Sequence, residues 1–214
     1  MLATYTFNSE YQVQGQNHPQ LRLLEGGKFT TGEYAPVLIR EDQRLRLKYF
    51  RWGLKSRMMQ IRPASKAQTF VAREQVLRKP GQVALLRRQR CLIPADGCYL
   101  PGLNSHHQRL FKLAMPQGQT FCVAGIYELY QREDGEILPC FAMLTAPSPS
   151  HLQRFGVRMP MILPRNVETT WLNPHLDLNK LQKLLQLPTG SGLSVHPVQE
   201  LILPEVTHLD HVAA

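Results

Sequence analysis

Residues 35–40 (APVLIR) and 45–52 (LRLKYFRW) alternate polar and apolar side chains on either side of Glu41-Asp42-Gln43. A period of two puts one set of side chains on each face of an extended strand, so the two stretches predict a half-buried hairpin with Glu41-Asp42-Gln43 as its turn. A helix of the same sequence would scatter its apolar residues around the axis. Further strands are predicted at 91–95, 108–115, 120–130 and 137–144. The signals Asp96-Gly97, Pro116-Gln117-Gly118 and Asp134-Gly135 punctuate them, and the last three read as a meander. Helical spacing is confined to 82–90, 150–155, 167–172 and 178–187. In the last of these Leu178, Leu181, Leu184 and Leu185 share a face behind the capping-type Asp177. The expected class is α+β with a strand-built core.

A chain of 214 residues with 43% hydrophobic content buries a sizeable core, and one domain over 1–214 is expected. No uncharged apolar run approaches the roughly 18 residues of a membrane span. The opening MLATYTFNSE lacks a basic region followed by an apolar one, so a soluble, cytoplasmic protein without a membrane partner is expected. Cys91, Cys98, Cys122 and Cys140 have no paired C-x-x-C spacing and fall in strand-like segments, as reduced core thiols do. His106, His107 and His151 have no carboxylate or thiol partner at ligand spacing, so neither a metal nor a cofactor is expected. A monomer is the expected state.

The net charge of +9 is regional: residues 37–90 hold fifteen Lys and Arg against three Asp and Glu, a local balance of +12. Such a concentration is the footprint of a polyanion partner, because each neutralised phosphate releases condensed counterions. Tyr49, Phe50, Trp52 and Phe70 are interleaved with it, a composition suited to base stacking. A solvated basic surface without a partner is the alternative.

Seven segments carry a family resemblance: RWGL at 51–54, AREQVLRKP at 72–80, RRQRCLIPADGCY at 87–99, VAGIYE at 123–128, MLTA at 143–146, VRMPMILP at 157–164 and HPV at 196–198. In this order and spacing the chain resembles the SOS response-associated peptidase (SRAP) family, whose members sense abasic sites in single-stranded DNA. The resemblance implies a curved, barrel-like, mostly antiparallel core with peripheral helices. It also implies a reaction in which a cysteine in second position captures the ring-opened sugar aldehyde as a thiazolidine. The positions that carry that chemistry differ here. The second residue is Leu2; the family's Asn-Ala-Arg reads Val71-Ala72-Arg73; its Asp-Gly-Phe-Tyr-Glu reads Asp96-Gly97-Cys98-Tyr99-Leu100; and the first places of its His-Asp-Arg-Met-Pro are Gly156-Val157. Leu2, Val71, Leu100 and Gly156 thus stand where a nucleophile, an amide, an acid–base carboxylate and a histidine are implied.

Arg73 and Arg158 match the family's DNA-contacting arginines, with internal struts bonded to buried carbonyls as the alternative reading of the pair, whereas its arginine at position four is Thr4 here and its aromatic wedge falls at Met58, beside Arg57. The resemblance therefore implies a catalytically vacated protein, in a DNA-damage context, that binds single-stranded DNA weakly and salt-sensitively through Trp52, Arg57, Met58, Arg73 and Arg158, or that holds a protein partner in the same groove. The vacated pocket is expected to be apolar, with Arg73 and Arg158 at its rim. The alternative is an enzyme that crosslinks at abasic sites or autoproteolyses through another nucleophile. Cys98 is the substitute considered, because in an extended strand it shares a face with Leu100.

Overall fold

The structure, a computed structural model, describes residues 4–7, 27–55, 67–101, 110–156 and 158–198. The strands in chain order are β1 (Thr4–Phe7), β2 (Gly27–Thr30), β3 (Tyr34–Glu41), β4 (Arg44–Trp52), β5 (Phe70–Ala72), β6 (Arg90–Ala95), β7 (Gly97–Pro101), β8 (Leu110–Ala114), β9 (Phe121–Gln131), β10 (Ile137–Pro147), β11 (Arg158–Pro160), β12 (Ile162–Leu163) and β13 (Ser194–Val198). Four short helices lie outside them: α1 (Arg73–Val76), α2 (Pro80–Arg88), α3 (Glu168–Trp171) and α4 (Leu178–Leu185).

β4, β3, β6 and β9 are neighbours in that order, and β10 pairs with both β4 and β9. The ring of strands therefore closes into a barrel, which leaves these five without a free edge. β11, β12 and β5 attach to it, and a second sheet runs β13-β8-β7-β1-β2. The pairings of β10 with β4 and β5 are parallel, and the other pairings between named strands are antiparallel. One continuous cluster of buried apolar side chains joins the sheets, from Tyr5 and Cys98 of the second sheet to Val37, Leu92 and Phe141 of the barrel.

The predicted hairpin is β3–β4, with Glu41 paired to Arg44. Its turn is two residues rather than three: Asp42 and Gln43 have φ of 48° and 63°. Positive φ at both central positions is the type I′ geometry whose twist matches the flanking strands. The helix behind Asp177 also forms, and the Asp177 carboxylate accepts from the Lys180 backbone N–H at 2.8 Å, satisfying one of the helix's orphan donors. Residues 150–155 wind as a 3-10 turn rather than an α-helix.

The expected meander forms only in part: β9 and β10 pair as antiparallel neighbours, but β8 does not join them. β8 pairs with β7 and β13, while β9 belongs to the barrel, so the chain changes sheets between them. Phe121 to Ile126 are buried without alternation. A strand covered on both faces loses the period that would reveal its pairing.

Arg90, counted above with the basic stretch, points inward. Its guanidinium donates to the carbonyls of Leu86, Arg87, Trp171 and Asn173, joining the end of α2 to the end of α3. Burial pulls its pKa down to about 10, so it stays charged. Hydrogen bonds from a charged donor contribute about 1.5–3 kcal/mol each.

Close packing inside the barrel is sharpest at Gly125. A Cβ there would lie 2.5 Å from Ile93 Cδ1, 2.8 Å from Cys91 Sγ and 3.0 Å from the Ala142 carbonyl oxygen. The carbonyl is fixed by the sheet and does not move aside. Gly125→Ala is expected to destabilise the fold by about 1–3 kcal/mol in urea denaturation, the usual penalty for overpacking a core; an unchanged midpoint would show that the barrel interior is looser than this.

Candidate functional site

β5 enters the barrel wall beside β10, with Val71 opposite Leu144 and Ala72 opposite Thr145. The chain then turns directly into α1, which begins at Arg73. On the other edge of β10, β11 sets Pro160 opposite Thr145 and Arg158 opposite Pro147. Three segments distant in sequence thus meet around Thr145.

Arg158 is fixed there by three bonds. Its Nε donates to Thr145 Oγ1 at 3.1 Å, and its Nη2 donates to the Thr145 carbonyl at 2.7 Å and to Glu74 Oε2 at 2.8 Å. Arg73 donates from Nη1 to the Leu187 carbonyl at 2.8 Å and from Nε to Glu74 Oε1 at 3.4 Å. Both arginines hold a backbone carbonyl, and both are partly open to solvent, with side chains 20% and 27% exposed for Arg73 and Arg158. Arg73 Nη2 and Arg158 Nη1 make no hydrogen bond to another described residue. Glu74 was not singled out in the sequence, yet it is the residue that links the two cations. Partial burial would raise its pKa; hydrogen bonds from its own backbone N–H and from Arg158, with the charges of Arg158 and Arg73, prevail and hold the carboxyl below its ordinary value.

Beside these groups is a cavity of about 370 Å³ lined by Ala67, Gln68, Thr69, Phe70, Ala72, Gln75, Thr145 and Arg158. That volume is within the range of small-ligand clefts, roughly 300–1,000 Å³. Its lining joins apolar walls to amide, hydroxyl and guanidinium groups. Val71 is not in the lining: its side chain is buried in the core cluster. Gly156 has extended backbone with φ of 166°, and an added Cβ would meet only the Arg158 carbonyl oxygen, at 3.4 Å. The backbone at this position is therefore compatible with a larger side chain.

Trp52 is fully buried, which removes it from the residues available for base stacking. Its Nε1 donates to the Thr69 carbonyl at 3.1 Å, and its ring meets Phe70 edge-on with centroids 5.5 Å apart. Tyr5 also meets it edge-on, with centroids 5.4 Å apart. Trp52 therefore supports the cavity wall from within, because a ring with no exposed face has nothing to offer a ligand.

β1 lies between β2 and β7, with Thr4 opposite Tyr99 and Tyr5 opposite Cys98. Thr6 Oγ1 donates to Asp96 Oδ1 at 2.6 Å and the Asp96 backbone N–H returns a bond to the Thr6 carbonyl at 2.9 Å. Asp96, read from sequence as a turn residue, thus anchors β1. Cys98 is fully buried; desolvation, with the Asp96 carboxylate adding to it against Lys112, pushes its thiol far above the usual range. A thiol in this state is an inert packing group rather than a substitute nucleophile. Leu100 is placed by backbone register opposite Phe111. Leu2, Arg57, Met58, His106, His107 and Val157 lie outside the described residues. Among the described residues no group of three His, Cys, Asp or Glu side chains is arranged to hold a metal, and no helix is long and apolar enough to cross a membrane.

Comparison with known proteins agrees with this architecture. The family model of the SOS response associated peptidase (SRAP) matches residues 6–203. The abasic site processing protein YoqW of Bacillus subtilis is 25% identical over 195 residues, covering 90% of this chain and 84% of its own. YobE of the same organism, also an abasic site processing protein, is 25% identical over 201 residues, covering 90% and 86%. A crystal structure of a Bordetella bronchiseptica protein superposes with a TM-score of 0.73 at 17% identity, covering 92% of this chain and 100% of that one, which supports the fold alone. With its strands closed as described and a family match running through nearly all of them, the chain belongs to the SRAP family.

Proposed function

We propose that this chain is a non-covalent member of its family, binding single-stranded DNA of the kind that carries abasic sites through Arg73, Arg158 and the neighbouring basic surface, without capturing the aldehyde. The observation that carries the reading is that every cysteine in the sequence, Cys91, Cys98, Cys122 and Cys140, is buried. Capture as a thiazolidine needs a thiolate and an amine at one accessible residue. Burial pushes the thiols of Cys91, Cys98 and Cys140 up, Cys140 to about 11. Leu2, Val71, Leu100 and Gly156 supply no acid, base or nucleophile in their place.

Support for a nucleic-acid ligand comes from the arginines. Each keeps one terminal amino group without a described partner, and each is oriented by its other bonds. A guanidinium held in this way loses little freedom when it takes up a phosphate oxygen. Arg57 and Met58 extend the proposed contact surface, and a protein partner with an acidic face is the competing occupant. The chain is proposed to act as a cytoplasmic monomer with no cofactor.

Incubation with an oligonucleotide containing an abasic site, followed by denaturing electrophoresis, yields no shifted band; a band of the mass of the adduct overturns the reading. Leu2→Cys restores at most slow capture, since the other three positions remain vacated. Non-covalent affinity, measured by fluorescence anisotropy, falls roughly tenfold when salt is raised about fourfold, as for two to three neutralised phosphates. Arg73→Ala with Arg158→Ala weakens binding by about 1 kcal/mol or more per residue; a complex indifferent to both salt and these substitutions contradicts the proposed groove.

A further inference from the structure

We propose that Glu74 is a built-in competitor anion: its carboxylate occupies the position between Arg73 and Arg158 that a phosphate would take, and so restricts the site to polyanions able to displace it. This rests on the reading of the two arginines as a phosphate site. Glu74 is the only acidic residue between Asp42 and Asp96, in the most basic part of the chain, and it lies against both cations. Its two carboxylate oxygens are divided between them, Oε2 at 2.8 Å from Arg158 Nη2 and Oε1 at 3.4 Å from Arg73 Nε. A phosphate, like the carboxylate, can set one oxygen against each guanidinium, so the two compete for Arg73 Nε and Arg158 Nη2, and Arg73 Nη2 and Arg158 Nη1, which have no described partner, add to the phosphate's contacts once it is in place.

The arrangement is suited to displacement rather than to permanent closure. The Glu74 side chain is 41% exposed, and its described side-chain partners are the two arginines. An ion pair this open to water is weak, and the side chain swings out by rotation about its own bonds. The arginines do not follow, because Arg158 stays bonded to Thr145 and Arg73 to the Leu187 carbonyl. When the anion leaves, the site is already formed. A single small monoanion gains little over the carboxylate it replaces, whereas a strand with several phosphates keeps its other contacts while one phosphate exchanges with Glu74. The residue thereby discriminates by the number of linked charges.

Anisotropy titrations with a labelled oligothymidylate, at one fixed ionic strength, test this on the intact chain, the isosteric Glu74→Gln, Arg73→Ala with Arg158→Ala, and the triple variant. Inorganic tripolyphosphate, followed by the shift in melting temperature, is the second probe and reads the anion site without DNA. Glu74→Gln is expected to bind both ligands roughly threefold to tenfold more tightly, the scale of losing one partly exposed competing charge, and the gain should vanish in the triple variant. Weaker binding by Glu74→Gln would mean that the carboxylate orients the arginines, and overturns the proposal. Equal affinity for tripolyphosphate in the intact chain and Glu74→Gln also overturns it. If DNA binds none of the variants while tripolyphosphate binds Glu74→Gln more tightly, the competitor role stands and the single-strand reading of the groove falls.

Discussion

The backbone pairing of β10 is the interaction on which the remaining architecture depends. Eleven residues, Ile137 to Pro147, take β9 and then β11 on one edge, and β4 and then β5 on the other. Its first half closes the barrel; its second half gathers the segments that carry Ala72, Arg73 and Arg158. A strand with both edges used leaves few unsatisfied backbone groups, and it transmits position rigidly from the core to the surface. A register slip of one residue would turn Thr145 to the opposite face and separate it from Arg158.

The cavity beside Thr145 has two kinds of support. Below it, the buried Trp52, Tyr5 and Phe141 and the partly buried Phe70 of the lining form an aromatic assembly in which Trp52 stands 5.4 to 6.1 Å from the other centroids. Edge-on and offset rings of this sort fix one another's orientation beyond what burial alone does. Above it, two guanidinium groups and one carboxylate share a short network at partial exposure, where solvent weakens each link. The floor is rigid and the rim is adjustable. Val71 belongs to the buried core, while the charged groups Arg73, Glu74 and Arg158 lie at the rim.

How legible this was depended on the range of the interaction. The β3–β4 hairpin and the Asp177-capped helix rest on neighbours within a few residues, and alternation or leucine spacing reports them directly. β5 and β11 are three residues each and acquire their structure from β10, so neither has a period of its own. β9 is legible as a strand and its pairing with β10 holds, but on its other edge it meets β6 and β12 rather than β8, because burial on both faces erases the alternation. Trp52 and Arg90 misled in the same way: composition places an aromatic or a cation in a basic stretch without saying which side of the sheet it faces. Arg73 and Arg158 were legible only through family resemblance. The one acid that links them was overlooked, since a single Glu among many bases carries no pattern.

The pairing of β1 with β7 also bears on how the molecule comes into being. Thr4 meets Tyr99, nearly a hundred residues further along the chain. At about 5–20 residues per second on the ribosome, β1 has β2 within a few seconds but waits roughly 5–20 s for β7 to be synthesised. Until then Tyr5 and Phe7, both fully buried in the finished fold, have no core to enter. Loop closure over such a span is slow compared with forming the local β3–β4 hairpin. The β1–β2 pair therefore joins β7 late, and in the newborn chain the apolar side chains of Tyr5 and Phe7 need shielding until it does.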